Sequence, residues 1–463
     1  MADETDIPKG RLRRTAQVGS VVGSQGARYA GTRARNLARD REEAAQALEQ
    51  RHMAAADQMV ETLGRMKGAA MKIGQLASFI DTEFLPPEYR ELYQDKLATL
   101  RSTAPPMPWK KVRAVLDEEW EEPVEGLFED FEHDAAAAAS IGQVHRAVLP
   151  DGRRVAVKVQ YPGVASAIAA DMQNAGLILR LAKAFAPGLD AKAAAAELKE
   201  RVMEELDYEL EAQSQRAFAR GYRRHPFIHV PDVVTRLSTE RVLVSEWVDG
   251  AGFDEVRELP QPERDRFGEV VFRFCFGSIY HLQHFNADAH PGNYLLLPDG
   301  RVSFLDFGMT KHLDQDQIEL EIAALEAIFD DDPEELRVAL HDLGFLNDPR
   351  KVDAELLMDH VRAVGGWYME DREVTIDSSR VMEAIAAVSD PRSDFYRVMR
   401  RENLPANELM GRRMESGVLA VLGQLGATRN WYRIGREWWF GEPPSTELGE
   451  LECLWAEELG RPG

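Results

Sequence analysis

A short segment in the second half of the chain limits the possible folds more than any other. In it, Asp288 precedes Asn293 by five residues, and Asp306 follows Asn293 by thirteen. The residues between Asn293 and Asp306 read as two strands, Tyr294–Leu297 and Val302–Leu305, joined by a Pro-Asp-Gly turn. The pattern predicts a pair of strands that follows the loop from Asp288 to Asn293 and is itself followed by the carboxylate of Asp306.

This order of oxygen-bearing side chains is typical of a phosphoryl-transfer site. Asn293 and Asp306 are the predicted metal ligands, and Asp288 is the predicted catalytic or water-orienting carboxylate. Mg²⁺ is the expected ion because it prefers hard oxygen ligands in a partly hydrated octahedron, and ATP is the expected nucleotide. An Asp-Phe-Gly tripeptide alone is more often a turn before a helix, but the combined spacing is much rarer.

A second element of the site is expected upstream. The segments Val144–Leu149 and Val155–Val159 flank a Pro-Asp-Gly turn and read as a β-hairpin. Lys158 lies near the end of this hairpin, where its ammonium group would neutralise phosphate charge. The segment Glu197–Arg220 reads as a helix whose acids either form a solvated face or hold the lysine in place. These acids are Glu205, Asp207, Glu209 and Glu211.

These residues resemble the UbiB/AarF family of atypical protein-kinase-like proteins, a group linked to isoprenoid quinone biosynthesis. The resemblance covers about residues 60–310. Lys72-Ile73-Gly74-Gln75 is similar to the family's Lys-x-Gly-Gln signature, and Glu205-Leu206-Asp207 matches its Glu-x-Asp motif. Ala135–Ala139, followed by Ser140–His145, is similar to its alanine-rich nucleotide loop.

The resemblance implies an α+β, protein-kinase-like fold of two lobes, with an N-terminal helical extension packed over the active site. Lys158 would be the phosphate-binding lysine and Glu211 its partner on a helix. In the family, the extension covers the position where a protein substrate lies in ordinary kinases. The regulatory residues that this arrangement implies near the phosphates are Lys72, Gly74, Gln75, Glu205 and Asp207.

The alanine-rich loop is expected to hold the nucleotide differently from a glycine-rich loop. Glycines let the backbone approach phosphates and adopt positive φ, whereas alanines favour helical geometry, and a helix start is the alternative interpretation. Gly142 alone is expected to keep this freedom, which predicts slow or restricted transfer. Adenine is expected at Ser245–Val248, at the end of the second of two further predicted strands, Val230–Arg236 and Arg241–Trp247. The expected nucleotide-binding residues are Ala137, Ala138, Ala139, Ser140, Gly142, Gln143, Val144, Lys158, Glu246 and Val248.

The chain divides into four predicted parts. Residues 1–41 form a basic arm, with nine Lys or Arg and one acid between residues 9 and 41. This arm is either a solvated tail or a segment that binds anionic membrane surfaces. Residues 42–104 are the helical extension, 105–248 the N-lobe, and 249–463 the helical C-lobe.

Composition excludes several classes of protein. The net charge of −23 opposes binding to a nucleic-acid backbone. Two distant cysteines provide neither a disulfide framework nor zinc-ligand spacing. No apolar run suits a secretory signal or a membrane span, so the expected location is the cytoplasm, at most peripheral at the inner face of the membrane.

Two functions from different classes are consistent with these residues. The first is a Mg-dependent ATPase or small-molecule phosphotransferase that supports quinone or prenyl-lipid metabolism, with a prenyl-lipid or quinone precursor as a partner. The alternative is a nucleotide-gated scaffold or chaperone for a lipid-enzyme assembly, without phosphotransfer. A conventional protein kinase is disfavoured because only about five residues separate Gly308 from the next predicted helix, which leaves no room for a long activation segment.

An aminoglycoside- or choline-kinase-like enzyme is a further alternative, but such relatives carry neither the Lys-x-Gly-Gln motif nor the alanine-rich loop. The oligomeric state stays open. Near the end of the chain, an aromatic cluster is interpreted either as core packing or as a lipid- or partner-facing patch. Its members are Trp431, Tyr432, Trp438, Trp439, Phe440 and Trp455.

Overall fold

A computed structural model describes residues 107–139, 141–166, 203, 206–377 and 409–460. These residues form a β-rich lobe followed by a mainly helical lobe. The predicted basic arm and helical extension, and with them Lys72, Gly74 and Gln75, lie outside the described residues, as do Ser140 and Glu205.

An antiparallel sheet forms the centre of the first lobe. The predicted hairpin is present, and the pairing of Val144 with Lys158 sets its register. Alternation along the strands places Val155, Val157 and Val159 in a buried core under the first helix. The sheet has the order β1-β3-β4-β6, with β2 paired to β3. Its strands are β1 (Asp130–Phe131), β2 (Ala137–Ala138), β3 (Gly142–Val148), β4 (Arg154–Gln160) and β6 (Val242–Glu246).

Three helices of this lobe lie in the described residues. Asp207 caps the longest, α3, by accepting a hydrogen bond from the Glu209 N–H at 2.9 Å. This helix buries Tyr208, Glu211 and Phe218 and packs against β6. The helices are α1 (Trp109–Glu119), α2 (Val124–Leu127) and α3 (Tyr208–Gly221).

The strand predicted at Val230–Arg236 is wrong. The chain instead forms the two-residue strand β5 (Ile228–His229) and a 3₁₀ turn at Thr235–Leu237, and of the predicted strand only Val233 makes a bridge, with Ser245. The physical reason is Pro231, which has no N–H for a sheet ladder. Its carbonyl accepts a hydrogen bond from the Gln215 side chain at 2.7 Å instead.

In its described ranges, 249–377 and 409–460, the second lobe is helical around three small sheets. The strand pair β8–β9 is the hairpin predicted from the sequence, and β9 also pairs in parallel with β5. The other two sheets are β7–β10 and β11–β12. The strands are β7 (His284–Asn286), β8 (Tyr294–Leu296), β9 (Val302–Phe304), β10 (Thr310–His312), β11 (Val374–Thr375) and β12 (Thr428–Arg429).

The helices of this lobe enclose a core rich in aromatic rings. Asp332 caps α8 by accepting from two backbone N–H groups, as its position before Pro333 predicts. A π-helical turn, Arg273–Gly277, connects α5 to α6. The helices are α4 (Phe253–Arg257), α5 (Gln261–Phe272), α6 (Ser278–Leu282), α7 (Gln315–Phe329), α8 (Pro333–Asp342), α9 (Ala354–Gly365), α10 (Leu409–Leu425), α11 (Trp431–Trp439) and α12 (Glu447–Glu458).

Three of the six members of the C-terminal aromatic cluster are buried in this lobe. Trp431 is fully buried and donates its indole N–H to the Val374 carbonyl at 3.0 Å, while Trp439 and Trp455 are each 5% exposed. Packing is therefore the correct interpretation for these three tryptophans. In the part of the chain that the structure describes, no helix combines the length and apolar character needed to cross a membrane.

Candidate active site

Lys158 and Glu211 form an ion pair between the sheet and helix α3. The Lys158 Nζ lies 2.8 Å from Oε1 and 2.9 Å from Oε2 of Glu211. Lys158 points away from the valine core because neighbouring side chains on a strand alternate between faces. Glu211 lies one turn into α3 on its buried side, so helix and sheet together hold the ammonium group.

Asp306 approaches the same ammonium group from the second lobe. Its Oδ2 lies 3.5 Å from the Lys158 Nζ, and its Oδ1 accepts a hydrogen bond from the Gly308 N–H at 3.0 Å. Burial alone would lower the pKa of Lys158, but the negative charges of Asp306 and Glu211 raise it overall. The lysine is therefore a permanent cation facing the second lobe.

Asp288 and Asn293 lie together in the loop before the β8–β9 hairpin. The Asn293 amide donates to the Asp288 Oδ2 at 2.9 Å, and the Asp288 N–H donates to the Asn286 side chain at 2.9 Å. The Leu305 N–H donates to the Asn293 carbonyl at 3.0 Å, so Asn293 lies opposite Leu305 and close to Asp306. The hairpin thus brings the three predicted oxygen donors to one end of a sheet.

Arg413 is a member of this site that the sequence does not indicate. Its Nη2 lies 2.5 Å from the Asp288 Oδ1, although 125 residues separate the two along the chain. Arg413 is on α10, whose sequence predicts only a helix. No spacing pattern connects the two residues, so only the packing of α10 reveals the contact.

The alanine-rich loop is extended, not helical. Ala137 and Ala138 pair with Val144 and Gln143 as strand β2, and the Ala139 N–H donates to the Gly142 carbonyl at 2.9 Å. The expectation of helical geometry is therefore wrong. Pairing with β3 provides the backbone hydrogen bonds that a helix would otherwise supply, which overrides the helical propensity of alanine.

Gly142 is required for a different reason from the one predicted. Its φ is not positive, but a Cβ there would lie 2.1 Å from the Val159 carbonyl oxygen and 3.0 Å from the Tyr208 hydroxyl. Close approach of two strands, not access to positive φ, therefore excludes a side chain at this position.

Three of the other residues expected to contact the nucleotide differ in which of their groups are available to it. Val144 is the cross-strand partner of Lys158, so both side chains face the same side of the sheet. The Gln143 side chain is buried and hydrogen-bonded to both backbone groups of Met107, so it does not face a nucleotide, and the Gln143 backbone pairs with Val159 in β4. The Glu246 N–H donates to the Asp232 carbonyl at 2.8 Å, which leaves the Glu246 carbonyl as its group for adenine.

The residues present fit a nucleotide with a divalent ion. No group of three His, Cys, Asp or Glu side chains in the described ranges forms a metal site. Asp306 and the side-chain oxygen of Asn293 instead provide two hard oxygens, which suits an ion whose other ligands are phosphates and water. The Tyr208 hydroxyl is fully buried beside Lys158 and has no hydrogen-bond partner in the described part of the chain, so it is an unsatisfied donor next to the lysine.

The segment after Asp306 is short. Gly308 is followed by strand β10 and then directly by helix α7, which begins at Gln315. Residues 309–314 therefore provide no long activation segment, as the sequence predicts.

The fold and these side chains together define a protein-kinase-like domain. Residues 99–340 match the model of the ABC1 atypical kinase-like domain, which is more than half of the chain. The chain therefore belongs to the ABC1 atypical kinase-like family, and both the resemblance to UbiB/AarF proteins and the predicted α+β, two-lobe kinase-like fold are confirmed.

Individual relatives agree with this assignment. The chain is 29% identical over 75% of its length to the atypical kinase coq-8 of Caenorhabditis elegans, and 32% identical over 68% to the atypical kinase COQ8B of Rattus norvegicus, both mitochondrial. It spans 47% and 60% of the lengths of these two relatives. Rv3197 of Mycobacterium tuberculosis, solved with erythromycin, matches with a TM-score of 0.62 and 32% identity over 87% of this chain and 100% of that one.

Proposed function

We propose that this protein binds ATP with Mg²⁺ and catalyses phosphoryl transfer, either to water or to a small molecule. The observation that carries the proposal is the position of Lys158 between Glu211 and Asp306. A cation held by two carboxylates from different lobes supports a phosphate-binding role for this lysine. Glu211 orients the lysine, and Asp306 lies close enough to share the phosphates with it.

The other residues of the candidate site have the following roles in this proposal. Asp306 and Asn293 would hold Mg²⁺, which neutralises charge that develops on the transferred phosphoryl group. Asp288 would orient the acceptor hydroxyl or water. The carbonyl of Glu246 would accept a hydrogen bond from adenine, and Val144 would contact its ring.

The acceptor is proposed to be water or a small molecule of quinone or prenyl-lipid metabolism. The short segment 309–314 offers little surface on which a protein substrate could bind. Membership in a family with relatives named COQ8 supports a role in ubiquinone biosynthesis. The regulatory residues proposed from the family motifs are Lys72, Gly74, Gln75, Glu205 and Asp207.

ATP turnover by the purified full chain tests the proposal. Asp306→Asn is expected to abolish Mg-dependent turnover because it removes the charge that holds the ion. Asp299→Asn is a matched control, since Asp299 is an exposed carboxylate in the turn of the same hairpin and pairs with Arg301. Equal turnover by Asp306→Asn and the wild type would contradict the proposal.

A nucleotide-gated scaffold is the second candidate, and the alanine-rich loop favours it. Ala137 and Ala138 form a paired strand, so this loop has less backbone freedom than a glycine-rich one. ATP binding without turnover, with and without lipid, would support the scaffold over the enzyme.

A peripheral role at a membrane is proposed for the basic arm of residues 9–41. Its nine basic residues and one acid give a net charge of +8, which would attract an anionic bilayer. Turnover is compared with and without vesicles of an anionic phospholipid, for the full chain and for a variant lacking residues 1–41. Stimulation that disappears on truncation would support lipid binding, and equal rates would contradict it.

A further inference from the structure

Helix α10 lies beyond the part of the chain that matches the family domain, yet it touches the candidate active site. The match ends at residue 340, whereas α10 comprises Leu409–Leu425. From this helix, Arg413 reaches the Asp288 Oδ1 at 2.5 Å. A segment outside the recognised domain therefore contacts the proposed catalytic carboxylate directly.

Close packing keeps the helix in this position. One turn after Arg413, Gly417 faces Ala289, the neighbour of Asp288. A Cβ on Gly417 would lie 2.9 Å from the Ala289 Cβ and 3.3 Å from its carbonyl oxygen. On the same helix, Met414 and Val418 are buried in the core. Because α10 rests on the loop backbone itself, the distance between Arg413 and Asp288 is set by the packing of the helix.

The ion pair is shielded from water, which makes its geometry important. The side chain of Arg413 is 15% exposed and that of Asp288 is 13% exposed. Asn293 holds Oδ2 of the carboxylate while Arg413 holds Oδ1, so the group cannot rotate without losing one partner. Loss of the arginine would leave a largely buried carboxylate without this counter-charge, which is costly.

The loop itself supplies no permanent cation. Its sequence from Asp288 to Asn293 is Asp-Ala-His-Pro-Gly-Asn, without lysine or arginine. A carboxylate that orients an acceptor must be held within a narrow range of positions, and its charge must be balanced. Arg413 meets both requirements from a distant part of the chain.

We propose that Arg413 is a positioning residue for phosphoryl transfer, which makes helix α10 part of the active site. It acts by fixing the side chain of Asp288 beside Asn293. The inference rests on the proposed function. It adds that the reaction depends on a helix beyond residues 99–340, the part of the chain that matches the family model.

The test compares Arg413→Gln, Arg413→Lys and the control Arg412→Gln in the full chain. Arg412 is the exposed neighbour of Arg413 on the same helix and lies over the Phe345 ring. Arg413→Gln is expected to lower kcat for ATP turnover about 10- to 100-fold, with KM and nucleotide affinity nearly unchanged, because the residue acts on Asp288 and not on ATP. Arg413→Lys should restore part of kcat, since one donor to Oδ1 suffices, and Arg412→Gln should match the wild type.

A second variant separates positioning from folding. Gly417→Ala keeps every charge but pushes α10 away from Ala289, and it should lower kcat in the same way. Melting temperatures identify any variant that fails to fold. A folded Arg413→Gln with wild-type kcat, or Arg413→Lys as inactive as Arg413→Gln, would overturn this inference while the proposed function stands. A wild-type chain that binds ATP without turnover would overturn both.

Discussion

The hydroxyl groups of Ser214 and Thr310 lie 2.9 Å apart and are hydrogen-bonded, which joins helix α3 to the strand that follows Asp306-Phe307-Gly308. One turn further along α3, the Phe218 ring packs on Phe307, with ring centroids 5.0 Å apart. Helix α3 also carries Glu211. The partner of Lys158 and the segment containing Asp306 are therefore held by the same helix, so the two lobes contribute to the site as one packed unit.

We expect Glu211→Gln to reduce both stability and turnover. Glu211 is buried and binds Lys158 through both oxygens. Removing its charge leaves a largely buried ammonium with weaker compensation, and the free energy of unfolding should fall by about 2–4 kcal/mol. Denaturant unfolding measures this change, and ATP turnover is measured alongside. Glu209→Gln, which affects a more exposed pair with Arg216, is the control; an equal loss in both variants would argue against a special role for Glu211.

Gly142→Ala should separate two strands of the sheet. The added Cβ would lie 2.1 Å from the Val159 carbonyl oxygen, so the backbone must shift at a cost of about 1–3 kcal/mol. Because Lys158 precedes Val159, nucleotide affinity should fall as well. Gly126→Ala is the control, since its nearest neighbour is 3.9 Å away on a flexible side chain. If Gly142→Ala had the same free energy of unfolding as the wild type, the two strands could move apart without cost, and the prediction would be wrong.

Tyr208→Phe is expected to stabilise the ligand-free protein and weaken nucleotide binding. The buried hydroxyl has no partner in the described residues, so its removal should raise the free energy of unfolding by about 1 kcal/mol. The same change should weaken ATP binding about tenfold if the hydroxyl donates to a phosphate oxygen.

Tyr222→Phe is a comparison variant in which the free energy of unfolding should change in the opposite direction. The Tyr222 hydroxyl is hydrogen-bonded to Ser278 at 2.7 Å, so its loss should destabilise the protein. Calorimetric melting and nucleotide titration measure both effects. Weaker ATP binding without a gain in stability would indicate that the Tyr208 hydroxyl already has a partner in the ligand-free protein.

His284 should make the protein less stable in mild acid. Burial lowers its pKa to about 3, and the imidazole of His312, stacked at 3.7 Å, adds to the shift. The unfolded chain binds this proton near pH 6.5, so stability is lost as the pH falls from about 6.5 towards 3, by up to about 1.4 kcal/mol per pH unit. His284→Gln should flatten this slope in unfolding experiments, whereas a change at the exposed His133 should not. Equal slopes in wild type and His284→Gln would contradict the assignment.

Sequence alone determined the parts of the site whose geometry is local. Asp288, Asn293 and Asp306 lie within one loop and one hairpin, so spacing and turn residues predict that they lie near one another. The β3–β4 hairpin that carries Lys158 was predictable for the same reason. The choice of Glu211 among several helix acids came from the family resemblance, because helical periodicity does not identify which acid faces the sheet.

Tertiary structure decided the rest. The Arg413–Asp288 contact spans 125 residues and depends on how α10 packs on the catalytic loop, which no local pattern encodes. The alanine-rich loop is a strand because its backbone pairs with β3. Gly142 has no room for a side chain because the backbone of β4 lies against it. For the aromatic residues near the end of the chain, their number favoured core packing over a lipid- or partner-facing patch, and the packing of α11 and α12 shows which of them are buried, namely Trp431, Trp439 and Trp455. Local sequence sets the elements and their side chains, whereas contacts between distant elements depend on packing, which is a property of the whole chain.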